Sequence, residues 1–118
     1  MQRTILKSKI HNAVIMQTKL TYEGSITIDG YLMDKADIVE NERVQVVNIN
    51  NGARLETYVI RGKERSSYIC LNGPAARLGV EGDRIHILTY VIVNDDELEN
   101  VKPAVLILNE KNEIIEEK

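Results

Sequence analysis

The chain contains no phenylalanine and no tryptophan, and apart from its histidines the only aromatic residues are five tyrosines. A core without large rings has to be built from Ile, Val and Leu. Such side chains suit a pleated, half-buried surface, so a mostly β domain is predicted. At 118 residues the length predicts a single domain, 1–118. A domain of this size buries roughly two-thirds of its unfolded surface, enough for a core without staples.

The pattern along the chain agrees. "RTILKSKIHNAVIMQTKLTY" reads as one or two strands with a bend, and "SITID" alternates with Ile26 and Ile28 on one face. The period then changes in "DGYLMDKADI", where Asp29 is a natural N-cap and Leu32, Met33 and Ala36 share a helical face. "RVQVVNI" and "ARLETYVI" flank "NNG", and the Asn51-Gly52 pair predicts a hairpin between them. "SSYICL" reads as a buried strand, and "NGPAARLG" as a short helix with Pro74 at its first position. "RIHILTYVIV" is apolar on both faces and reads as a central strand. After the polar crossing "NDDELENVKP", the runs "AVLIL" and "EII" close the chain as strands. The sum is at least six strands and two short helices, best accommodated by a small closed or nearly closed barrel.

Charge limits the partners. The net charge is -3, from 15 basic and 18 acidic residues, and no basic run exceeds two residues. This disfavours nucleic acid, as does the lack of an aromatic stacking platform. No apolar run approaches the ~18 residues of a membrane span, and no apolar signal segment is seen at the start. The one cysteine, Cys70, has no intrachain partner for a disulfide. A cytoplasmic, reducing setting and no membrane contact are therefore expected.

Conventional catalytic signatures are missing. His86 and Cys70 lie inside apolar strands and read as packing residues, and no cluster has metal-ligand spacing. There is no phosphate-binding Gly-rich loop and no nucleophile elbow. What remains is a set of polar residues in otherwise apolar surroundings. Lys9 and His11 share parity on the first run, and Tyr22 stands two residues before Gly24-Ser25. Arg54, Thr57 and Tyr58 share a strand, and Asn72 ends another just before Gly73. Each has an ordinary structural reading, and Gly24-Ser25 alone reads as a turn.

Taken in order, the motifs "RTILKSKIH", "YEGS" at 22–25, "NGARLETYVI" at 51–60, "NGPAA" at 72–76 and "GD" at 82–83 say more. The chain resembles the pyruvoyl-dependent aspartate 1-decarboxylases over nearly its whole length. The resemblance implies a six-stranded double-psi β-barrel with short helices, assembled as a homotetramer with sites at subunit interfaces. It implies decarboxylation of L-aspartate to β-alanine and CO2, feeding pantothenate synthesis. It also implies a covalent pyruvoyl cofactor made from Ser25 by cleavage at Gly24-Ser25, leaving fragments 1–24 and 25–118, with no metal.

The resemblance implies the following chemistry. Ser25 Oγ would attack the Gly24 carbonyl, and the peptide would become an ester. β-Elimination releases Gly24 as a carboxylate and leaves dehydroalanine, which hydrolyses to the pyruvoyl group and ammonia. Glycine before the serine leaves the approach unhindered. Negative charge develops on the attacked oxygen, so a nearby donor lowers the barrier. The resemblance gives that task to Thr57, with Tyr22 and His11 near the bond. The ketone then forms a Schiff base with the substrate amine and acts as an electron sink. By the same resemblance Tyr58 is the proton donor, and Arg54, Lys9, Thr57 and Asn72 hold the substrate, with backbone N–H groups near Gly73 and Ala75. Arg54 suits a carboxylate because it offers two parallel donors.

One tension is visible from sequence. On a regular strand Arg54 and Tyr58 point to one face and Thr57 to the other. Either the strand bulges or twists sharply, or a subunit interface encloses both faces. Two alternatives stand beside the decarboxylase: a non-catalytic small β-barrel binding module, and a pyruvoyl decarboxylase of another amino acid.

Overall fold

The computed structural model describes all residues from Met1 to Lys118. Nine strands form in chain order: β1 (Gln2–Val14), β2 (Gln17–Lys19), β3 (Ser25–Asp29), β4 (Arg43–Asn48), β5 (Arg54–Gly62), β6 (Ile69–Asn72), β7 (Arg84–Asn94), β8 (Ala104–Leu108) and β9 (Ile114–Glu117). One α-helix, α1 (Gly30–Lys35), follows β3, and short 3-10 helices cover Gly73–Arg77 and Asp95–Asn100. The second 3-10 helix lies in the segment expected to be a plain polar crossing. Its start is a capping box, with Asn94 and Glu97 each satisfying the other's backbone.

The strand order is β2-β6-β3-β5-β4-β7-β1-β8-β9. Three pairings are parallel, β1 with β8, β2 with β6 and β3 with β5; the others are antiparallel. The ordering curls back on itself because β2 continues β1. Between them, Ile15 N–H donates to Asp83 O just before β7, and Met16 N–H donates to Ile69 O at the start of β6. The six-stranded circuit is β6-β3-β5-β4-β7-β1, with β8 and β9 added outside it as an extra hairpin.

The core is aliphatic, as the missing rings require. Ile10, Ile15, Ile26, Ile28, Ile69, Leu71, Ile85 and Ile87 are its largest fully buried members in the circuit. α1 closes one side through Leu32 and Met33, with Ala36 at its C-cap also buried. Its N-cap does more than cap. The buried Asp29 carboxylate accepts from the N–H of Tyr31, and also from those of Arg65 and Ser67, each at 2.8 Å. It thereby ties the β5–β6 connection to the helix start.

The Asn51-Gly52 hairpin forms between β4 and β5, with Gly52 at φ 75°. Its register runs without interruption from Arg43↔Tyr58 to Val47↔Arg54. β7 is central, between β4 and β1. Only one of its faces is sealed, however: Ile85 and Ile87 are buried, whereas Tyr90 and Ile92 stand exposed on the outside.

Candidate functional site

Ser25 is the first residue of β3, and Asn72, the last residue of β6, lies directly opposite it. Both are buried. Strand parity puts Ile26, Ile28, Ile69 and Leu71 into the core and turns Ser25, Thr27, Cys70 and Asn72 to the other side. Those four form one connected group. Asn72 Nδ2 donates to Ser25 Oγ at 2.8 Å and to Thr27 Oγ1 at 3.0 Å. Asn72 Oδ1 accepts from Cys70 Sγ at 3.2 Å. The carboxamide is thus held from both ends, with its donor end aimed at the serine hydroxyl.

The chain reaches Ser25 by turning out of β2 and crossing over Gly73. Gly73 has φ +63°, and a Cβ there would lie 2.6 Å from Tyr22 O, 2.8 Å from Gly24 N and 2.9 Å from Glu23 C. Only glycine tolerates both the left-handed backbone and this close crossing. Pro74 is the second residue of the 3-10 helix that Gly73 opens, one position later than the sequence suggests, and no needed donor is lost there. Gly24 opens onto a hollow of about 340 Å³ whose lining includes Thr57, Leu55, Pro74 and Ala75. The structure therefore brings Gly24, Ser25, Asn72, Gly73, Ala75 and Thr57 together within one chain.

The other candidates lie elsewhere. Arg54 is exposed at the start of β5 and donates from Nη1 to Gln45 Oε1 at 2.8 Å. Tyr58 is 38% exposed and edges a shallow depression shared with Arg43, Glu56 and Thr57. The β4–β5 register is unbroken, so no bulge occurs in this stretch; Thr57 lines both the Gly24 hollow and the depression edged by Tyr58, whereas Arg54 lines neither. The Tyr22 ring is exposed, with the Lys19 ammonium 5.9 Å from its centroid.

Lys9 and His11 lie on β1, between β7 and β8 and several strands from Ser25 in the order. His11 is stacked on His86, with centroids 4.0 Å apart and an interplanar angle of 16°. The Asn12 N–H donates to His86 Nδ1 at 3.2 Å. Burial lowers the His11 pKa, and the charges of Lys9, Lys118 and Arg84 lower it further. Burial, then His11 and Lys9, push His86 down to about 4. His86 therefore does pack inside its strand, but its packing partner is the other histidine.

Sequence reasoning passed over Thr27, and it read Cys70 as packing alone. A hydroxyl two residues after Ser25 was the available signal, but its meaning depended on knowing which strand lay opposite.

Fold and site define a class: a small, compact mixed-sheet β domain that buries a serine hydroxyl, amide-bound, at a tightly crossed Gly-Ser junction. The comparison with known proteins then becomes specific. The family described as Aspartate decarboxylase matches residues 1–115, and the chain belongs to that family. It is 57% identical to an aspartate 1-decarboxylase of Clostridium beijerinckii over 96% of this chain and 91% of that protein. It is 54% identical to those of Thermoanaerobacter pseudethanolicus, over 95% and 96% of the two chains, and of Syntrophomonas wolfei, over 98% of each.

Proposed function

We propose that the chain decarboxylates L-aspartate to β-alanine and CO2 in the cytoplasm, feeding pantothenate synthesis, after cleaving itself at Gly24-Ser25 into 1–24 and 25–118. The reading is supported by family membership and, above all, by one observation. The Ser25 hydroxyl is buried, accepts a 2.8 Å hydrogen bond from Asn72 Nδ2, and belongs to a junction that Gly73 lets lie against the neighbouring chain.

A pyruvoyl group derived from Ser25 fits this place. The cradle over Gly73 has no room for a Cβ, and the Asn72 amide presents a donor to the atom that occupies the Ser25 Oγ position. When present, such a ketone supplies a covalent electron sink for loss of an α-carboxylate. The rest falls to the chain's own side chains. Before cleavage, Ser25 Oγ is the nucleophile toward Gly24, and Thr57, lining the hollow beside Gly24, donates to the carbonyl oxygen as charge develops. His11 and Tyr22 assist near the bond.

In turnover, Arg54 grips a substrate carboxylate with a two-pronged hydrogen bond and Lys9 adds positive charge. Tyr58 returns the proton, and Asn72 with the backbone near Gly73 and Ala75 orients the ligand. Arg54 and Tyr58 face away from the Gly24 hollow of their own chain, so we place each complete site between copies of a homotetramer. The exposed Tyr90 and Ile92 on the same outer face suit such an interface.

Mass spectrometry of the purified, denatured protein tests the reading. Fragments 1–24 and 25–118 are expected, with the larger one beginning in a pyruvoyl group. Ser25→Ala should give one intact, folded chain that forms no β-alanine. Cleavage in that variant refutes Ser25 as the nucleophile.

A further inference from the structure

Arg54, unlike Arg43 and Arg61, has no carboxylate partner. Arg43 lies 3.8 Å from Glu56, and Arg61 forks onto Asp34 at 2.9 Å. Arg54 takes part in no ion pair. Its side-chain partner is Gln45, whose Oε1 accepts from Arg54 Nη1 at 2.8 Å and from the Tyr90 hydroxyl at 3.2 Å. A guanidinium has donors only, so the carboxamide atom facing it must be the oxygen. Three adjacent strands are joined at this one atom: β5 through Arg54, β4 through Gln45 and β7 through Tyr90. Gln45 is half-buried and lines, with Tyr90 and Arg43, an outer hollow of about 420 Å³.

We infer that Gln45, braced by Tyr90, is a positioning residue that holds the Arg54 guanidinium in place, without an internal ion pair, for a substrate carboxylate. The inference rests on the reading of Arg54 as the carboxylate clamp. A neutral acceptor engages one of the five N–H groups of arginine and leaves the remaining donors for a two-pronged grip. A carboxylate at position 45 would hold the side chain equally well in shape but neutralise it, so that the ligand would have to compete with an internal anion. A hydrophobic residue would leave the charge but not the aim. The uncharged amide does both tasks.

The test uses the fully cleaved enzyme and succinate, a dicarboxylate without the reacting amine, with binding measured by calorimetry. Gln45→Glu should weaken succinate by about two- to fivefold, the range that an exposed ion pair supplies. It should raise KM for aspartate to the same extent and leave kcat within about twofold. Gln45→Leu should also weaken succinate, and unchanged completeness of self-cleavage shows that either variant is folded. The deciding measurement is a double-mutant cycle: in an Arg54→Met background, Gln45→Glu should have no further effect on succinate. An equal loss in both backgrounds overturns the inference, because the added charge would then act on the ligand directly. So does unchanged succinate binding in Gln45→Glu when Arg54→Met weakens it. If Arg54→Met leaves succinate binding intact, the clamp reading fails first and takes the inference with it.

Discussion

Gly73→Ala separates a structural glycine from one that places the scissile bond. Two costs combine at this position. The left-handed backbone at φ +63° makes any alanine there unfavourable by roughly 1–2 kcal/mol. The new Cβ would also sit 2.6 Å from Tyr22 O, 2.8 Å from Gly24 N and 2.9 Å from Glu23 C, where ordinary contact begins at 3.4 Å. All three are backbone atoms, so relief requires moving the Tyr22–Gly24 segment by up to 0.8 Å (3.4 − 2.6). On the proposed mechanism that segment carries the carbonyl that Ser25 Oγ attacks. A displacement approaching 1 Å in a positioned reaction costs about 10²-fold in rate. Self-cleavage of Gly73→Ala, followed as appearance of the 25–118 fragment on denaturing gels, should slow by about that factor. Gly52→Ala is the matched control. Gly52 has φ +75° with nothing within 4 Å of the added Cβ, so it carries the backbone cost without the collision. It should lower the melting temperature and leave cleavage at the parent rate. Equal cleavage rates in Gly73→Ala and the parent refute the role assigned to the crossing. Equal slowing in both variants shows that lost stability, not placement, governs the rate.

Tyr58→Phe keeps the ring on the outer face of β5 and removes only the hydroxyl; cleavage should be complete while β-alanine formation falls by about 10²-fold or more, the range for a positioned general acid. Full turnover by this variant removes Tyr58 from the proton-donor role. His86 binds a proton less readily folded, with a pKa of about 4, than its ordinary 6.5. The unfolded chain thus takes up the extra proton, and stability should be fully present above about pH 6.5 and decline as pH falls toward 4. Denaturant melts across that window should show a shallower decline for His86→Leu, and an identical slope would mean that His86 does not titrate with folding.

Much of the fold was legible because it depends on short-range chemistry. The Asn51-Gly52 turn, the Asp29 cap and Pro74 at a helix start each declare themselves within a few residues. The aliphatic composition foretold a core such as Ile26, Ile28, Ile69 and Leu71 now form. The 3-10 helix at Asp95–Asn100 escaped because its residues form one short exposed turn with no apolar face to create a period. The site was legible only in part. The motifs supplied the residues, but the Ser25–Asn72 contact spans 47 positions and exists because β3 and β6 pair in one register. A shift of one residue would turn Asn72 away from Ser25 and into the core. Thr27 and Cys70 acquire their hydrogen-bonding roles from that same register, which no local pattern encodes.

The unbroken β4–β5 register also divides the proposed chemistry in two. Thr57 lies on one face of β5 with the Gly24 junction, and Arg54 and Tyr58 lie on the other. Gly73, Gly24, Ser25, Asn72 and Thr57 meet within one chain, whereas Arg54 does not line that hollow. In the proposed scheme the nucleophile, scissile carbonyl and Thr57 donor of self-cleavage are local to one chain, while substrate grip draws on a second copy. Concentration should separate the two processes. When the cleaved protein is diluted and its assembly followed by light scattering, specific activity should fall as the copies part. The first-order rate of precursor cleavage should stay constant over the same range. A cleavage rate that rises in proportion to assembly would show that the neighbour supplies an essential group for bond breakage. Activity that survives complete dissociation would show that a single chain brings Arg54 to the Ser25 site after all, by bending β5 in a way its register in this structure does not contain.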